Sequence, residues 1–140
     1  MQLEEISYDT SLWIQKSYRK GLDIIQWYQQ EIKQDMAPSD LYEVFIKWVT
    51  DHSDNRAPND WIIDGLGVLF GNYIIDQTRG RWVIERDGEE KHLIVLTPNG
   101  TKLYPIDSVL KRVDTMDGEM DFFSSIWHVI QEKEVIPKVD

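Results

Sequence analysis

The chain has 140 residues, with 15 Lys and Arg against 25 Asp and Glu, a formal charge of −10, and no cysteine. This length predicts one domain over 1–140, the missing cysteines exclude disulfides, thiolate zinc and thiol catalysis, and the charge argues against gripping a nucleic-acid backbone. Hydrophobic residues at 41% and aromatics at 11% exclude a disordered acidic tail.

The first elements are helical. Ile14, Tyr18, Gly21, Ile25, Tyr28 and Ile32 recur at helical spacing, with Leu22 and Trp27 widening the stripe. Gly21 weakens such a helix unless a neighbour lies close against it. Pro38 disfavours helix at the residue before it, so Ser39 is expected to cap a second helix whose inner face is Leu41, Val44, Phe45, Trp48 and Val49. Residues 1–58 thus form an N-terminal helical portion that ends in the polar loop 51–59.

Residues 59–77 are apolar almost all round, which predicts a central buried helix. The period then changes. Arg81-Trp82-Val83-Ile84-Glu85 reads as a strand, Asp87-Gly88 as a turn, and His92 to Thr97 as the middle strand of three. Pro98-Asn99-Gly100 turns the chain into a third strand over 101–104. Pro105 opens a helix with Ile106, Val109, Leu110 and Val113 on one face, and a last helix runs from Asp121 to about Lys133. The expected class is α+β: N-terminal helices, a three-stranded antiparallel meander and C-terminal helices in a single domain.

The acidic start lacks the basic and apolar regions of a secretory signal, and the longest apolar stretch, 61–75, is interrupted by Asp64 and Asn72. Both observations predict a cytoplasmic chain with no membrane partner. Gly65, Gly67 and Gly71 invite a nucleotide-binding reading, but the spacing is G-x-G-x-x-x-G inside a helix rather than after a strand. Close packing of neighbours against that helix is the expectation instead. His52, His92 and His128 form no metal-ligand pair, and no Ser lies in a nucleophile elbow. Neither a catalytic residue nor a cofactor or metal is expected.

Residues 114–121 resemble a calcium loop but fail it, because Met116 stands where an oxygen ligand is required and Glu119 where the turn requires glycine. Asp121 is placed to cap the last helix. The stretch is better read as an acidic lip, since residues 114–140 carry seven acidic and two basic side chains while 61–113 are neutral. Asp114, Asp117, Glu119 and Asp121 are therefore candidate partner-binding residues. Trp13, Trp27 and Tyr28 join them, because the first helix carries a wider aromatic stripe than one neighbour requires.

The Gly65-Leu66-Gly67-Val68-Leu69-Phe70-Gly71 helix, Trp82 on a strand, Leu103-Tyr104-Pro105-Ile106 and Lys111-Arg112 together resemble a bacterial family known as domain of unknown function number 3806. The resemblance covers about 60–128 and implies a shared fold. It implies no activity, cofactor or catalytic residue. The functional expectation is a non-enzymatic acidic protein-binding module, with an immunity-type protein that neutralises a basic toxin or effector as its concrete form. The alternative is a small-molecule sensor or enzyme with a pocket between the sheet and the central helix, lined by Trp82 and Tyr104.

Overall fold

A computed structural model describes residues 2–29, 36–116 and 120–134. In chain order they form β1 (Gln2–Glu4), α1 (Tyr8–Tyr28), α2 (Pro38–Val49), α3 (Asn59–Thr78), β2 (Arg81–Asp87), β3 (Glu90–Leu96), β4 (Lys102–Leu103), α4 (Pro105–Thr115) and α5 (Phe122–Lys133). The class is α+β, as its periodicities predict. Ile32 and the expected end of the first helix fall outside the described residues.

Helix starts follow local chemistry. The Thr10 amide donates to Ser7 Oγ at 3.1 Å, which caps α1. At α2 the expected cap, Ser39, is not the one used. Pro38 takes the first helical position, where its missing N–H costs nothing, and the Ala37 amide donates to Asp40 Oδ2 at 2.9 Å.

The sheet has four antiparallel strands in the order β1-β2-β3-β4, one more than the expected meander. The added strand is β1, which pairs Leu3 with Glu85 and Glu4 with Ile84. Ion pairs fix it there: Arg86 Nε lies 2.7 Å from Glu4 Oε1, and Arg81 pairs with Glu5. Paired residues share a face of the sheet. Trp82, Ile84, Leu93, Val95 and Leu103 therefore look one way, and Val83, Glu85, His92, Ile94 and Lys102 the other.

The first face meets α3. A β-carbon on Gly71 would fall 2.2 Å from the Trp82 ring, and one on Gly67 would fall 2.8 Å from Ile106 Cα of α4. The glycine motif is thus the close-packing surface for a helix and a strand. Phe70 of α3 and Phe45 of α2 meet the α5 phenylalanines edge to face, with centroids 5.2 Å apart in Phe70–Phe123 and Phe45–Phe122. Trp48 closes the loop after α2, its Nε1 donating to the Ala57 carbonyl at 2.8 Å while the Arg56 guanidinium lies 3.9 Å over its ring. Among the described residues, no helix is long and apolar enough to cross a membrane.

Candidate functional site

Of the acidic stretch 114–121, residues 114–116 and 120–121 are described, at the end of α4 and the start of α5. Met116 ends α4 with φ 51 and ψ 34, its amide donating to the Arg112 and Val113 carbonyls. A side chain in this left-handed region costs about 1–2 kcal/mol, and helices ordinarily place glycine there. The methionine is only partly covered: Met116 is 43% exposed, and Met120 is 61% exposed. Arg56 Nη2 touches the Met116 sulfur at 3.9 Å. Leu110 and Asp114, one turn apart on α4, are also exposed.

The acidic candidates separate into three kinds. Asp114 is exposed and has no ion pair among the described residues. Asp121 is turned inward as the cap of α5, its Oδ1 accepting from the Ser124 amide at 2.9 Å and its Oδ2 from the Ser124 hydroxyl at 2.6 Å. Asp117 and Glu119 lie outside the described residues.

The aromatic candidates do not form one patch. Trp13 and Trp27 share a flank of α1 but stand about 21 Å apart along its axis, at 1.5 Å per residue. Trp27 meets Trp61 edge to face at 6.5 Å, and the Lys20 ammonium lies 5.9 Å over the Trp61 ring. The Tyr28 hydroxyl is engaged inside the fold. It donates to Asp51 Oδ2 at 2.7 Å and accepts from the Ala57 amide at 3.1 Å, tying α1 to the loop after α2. Burial pushes its phenol above the ordinary range, and the Asp51 carboxylate adds to the effect.

Trp13 belongs to a different feature. An open groove of about 380 Å³ lies between the first turns of α1 and the sheet, lined by Asp9, Thr10, Trp13, Ile84, Lys91 and Leu93. This is not the space expected between the sheet and the central helix. Trp82 is seated on Gly71, with its Nε1 donating to Asn72 Oδ1 at 3.0 Å. Tyr104 lies on the opposite face of the sheet, where its hydroxyl donates to Glu85 Oε1 at 2.8 Å. The two aromatics therefore lie on opposite faces of the sheet.

That opposite face carries a polar cluster which the sequence reading missed. Glu85 is buried, and Lys102 Nζ lies 2.9 Å from its Oε2. The Lys102 ammonium and then the Tyr104 hydroxyl hold its carboxyl below the ordinary value, against the opposing effect of burial. His92 sits directly across from it on β3. The signal was present in the Asp87-Gly88 turn: a tight hairpin there pairs Asp87 with Glu90, and hence Glu85 with His92. Among the described residues, no group of three or more His, Asp or Glu is arranged to hold a metal ion.

Residues 46–125 match a protein family described as Domain of unknown function (DUF3806), starting within α2 and ending in the second turn of α5. No curated protein and no solved structure matches the chain.

Proposed function

The chain belongs to the DUF3806 family, whose description names no activity, and from its geometry we propose that it is a non-enzymatic protein-binding module whose docking surface is the α4–α5 corner. The observation that carries this reading is Met116. A left-handed backbone position holds a long, partly exposed apolar side chain, and the same stretch of chain carries a second exposed methionine, Met120, and the exposed carboxylate of Asp114. Left-handed non-glycine positions such as Met116 and Arg79, which caps α3, concentrate at functional sites, and of the two only Met116 presents a large apolar side chain to solvent. Unbranched thioether side chains adapt to a partner's surface.

Charge supports the kind of partner. The excess of seven acidic over two basic residues within 114–140 favours a basic protein and accelerates its capture. An immunity-type protein that neutralises a basic toxin or effector in the cytoplasm is the concrete form of this proposal. The test is affinity capture of the tagged chain from a lysate of its source cells at low and high salt, with the retained proteins identified by mass spectrometry. One stoichiometric basic protein, released at high salt, is the expected result. Recovery of the bait alone at both salts would contradict it.

A second reading rests on the α1–sheet groove, whose volume falls within the range of about 300–1,000 Å³ typical of ligand sites. Its openness leaves much of a small ligand in water. Thermal unfolding against a metabolite set separates the two readings, because a sensor gains stability from a small molecule and a protein-binding module gains it from its partner.

A further inference from the structure

The ring of His92 lies between carboxylates on two different elements. Its Nδ1 is 3.2 Å from Asp107 Oδ2, in the first turn of α4, and its Nε2 is 3.5 Å from Glu90 Oε2 on β3 itself. From β2, Glu85 faces it across the hairpin. From β4, Lys102 pairs with Glu85, and Tyr104, just before α4, hydrogen-bonds the same carboxylate. Lys91 precedes His92 on the strand, and its side chain belongs to the other face of the sheet. Three carboxylates and one ammonium thus surround the ring, a setting that favours an imidazolium.

We propose that His92 is a proton-operated latch: as imidazolium it ties the first turn of α4 to β3, and on losing its proton it releases one of its two carboxylates. An imidazolium has two N–H donors and satisfies Glu90 and Asp107 together. A neutral ring has one N–H and serves only one of them. Partial burial of the ring opposes the charge, but Glu90 and Asp107 outweigh it and raise the pKa above its ordinary value. The folded protein therefore holds this proton more tightly than the unfolded chain. The stabilisation is complete below about pH 6.5 and is lost as pH rises through the folded-state value. The latch concerns the seating of α4, and it stands whether or not the far end of that helix binds a partner.

NMR titration of His92 tests it. His92 is expected to titrate above about 6.5, and Asp107→Asn to lower its midpoint by about half a unit or more. Amide exchange, corrected for intrinsic rates, supplies the structural readout. The Ser108 and Val109 amides are expected to exchange about threefold faster or more once His92 is neutral, and His92→Gln to remove that pH dependence. A His92 midpoint at or below the ordinary value would overturn the latch. So would a midpoint that Asp107→Asn leaves in place, or an exchange step that survives in His92→Gln.

Discussion

Gly21 of α1 and Gly65 of α3 meet backbone to backbone. A β-carbon on Gly21 would stand 2.7 Å from the Gly65 carbonyl oxygen, and one on Gly65 would stand 2.7 Å from the Gly21 amide nitrogen. Each glycine meets main chain, which has no rotamer with which to yield. The crossing holds α1 against the central helix, so that its first turns reach the sheet.

Gly65→Ala tests that contact. In an isolated helix this change gains about 1 kcal/mol. Here the forced separation of α1 and α3 is expected to outweigh the gain, for a net loss of about 1–3 kcal/mol. Urea unfolding measures it, and a variant as stable as the parent would refute the close crossing.

Asn72 orients Trp82 through the bond from the indole N–H. Asn72→Ala leaves that donor without its partner in a half-buried site. A loss of about 1–3 kcal/mol is expected, accompanied by a shift in tryptophan fluorescence.

Glu85 sets an acid limit to stability. Its folded pKa is lowered by Lys102 and Tyr104, so its contribution is present above the ordinary carboxylate value of about 4.5 and is lost as pH falls through the lowered one. Thermal midpoints recorded from about pH 7 downward should fall less steeply below pH 4.5 in Glu85→Gln than in the parent. Identical acid limbs would show that the cluster does not contribute.

Met116 separates stability from binding. Met116→Gly relieves the left-handed backbone and is expected to stabilise the chain by about 1 kcal/mol in urea unfolding. The same change removes an exposed contact side chain, so a more stable protein should bind its partner more weakly.

The helices were legible because each buries a stripe at helical spacing, as Leu41, Val44, Phe45 and Trp48 do on α2. Gly65, Gly67 and Gly71 were legible as packing residues because no strand precedes them and no phosphate-loop lysine follows. β1 was not legible. Three residues carry no alternation to detect, and their partners lie about 80 positions away on β2. Ser39 is a strong capping type, but Pro38 opens α2 two residues earlier than a Ser39 cap would, and Asp40 supplies the capping bond.

The candidate site was legible in part. Charge marked the lip, and the cap role of Asp121 followed from its place before Phe122 and Phe123. The left-handed Met116 was not visible, because composition does not report a dihedral angle. The engagement of the Tyr28 hydroxyl was hidden for a related reason: its partners, Asp51 and Ala57, come from a loop that the stripe on α1 does not see.

The most direct test of the proposed docking surface is a side-by-side capture at low salt by the parent, by Met116→Gly with Met120→Ser, and by Trp13→Ala. The α4–α5 account predicts that the parent and Trp13→Ala retain the same basic protein stoichiometrically, while the double methionine variant, still folded, loses it. Equal retention by all three, or loss with Trp13→Ala alone, would contradict that account.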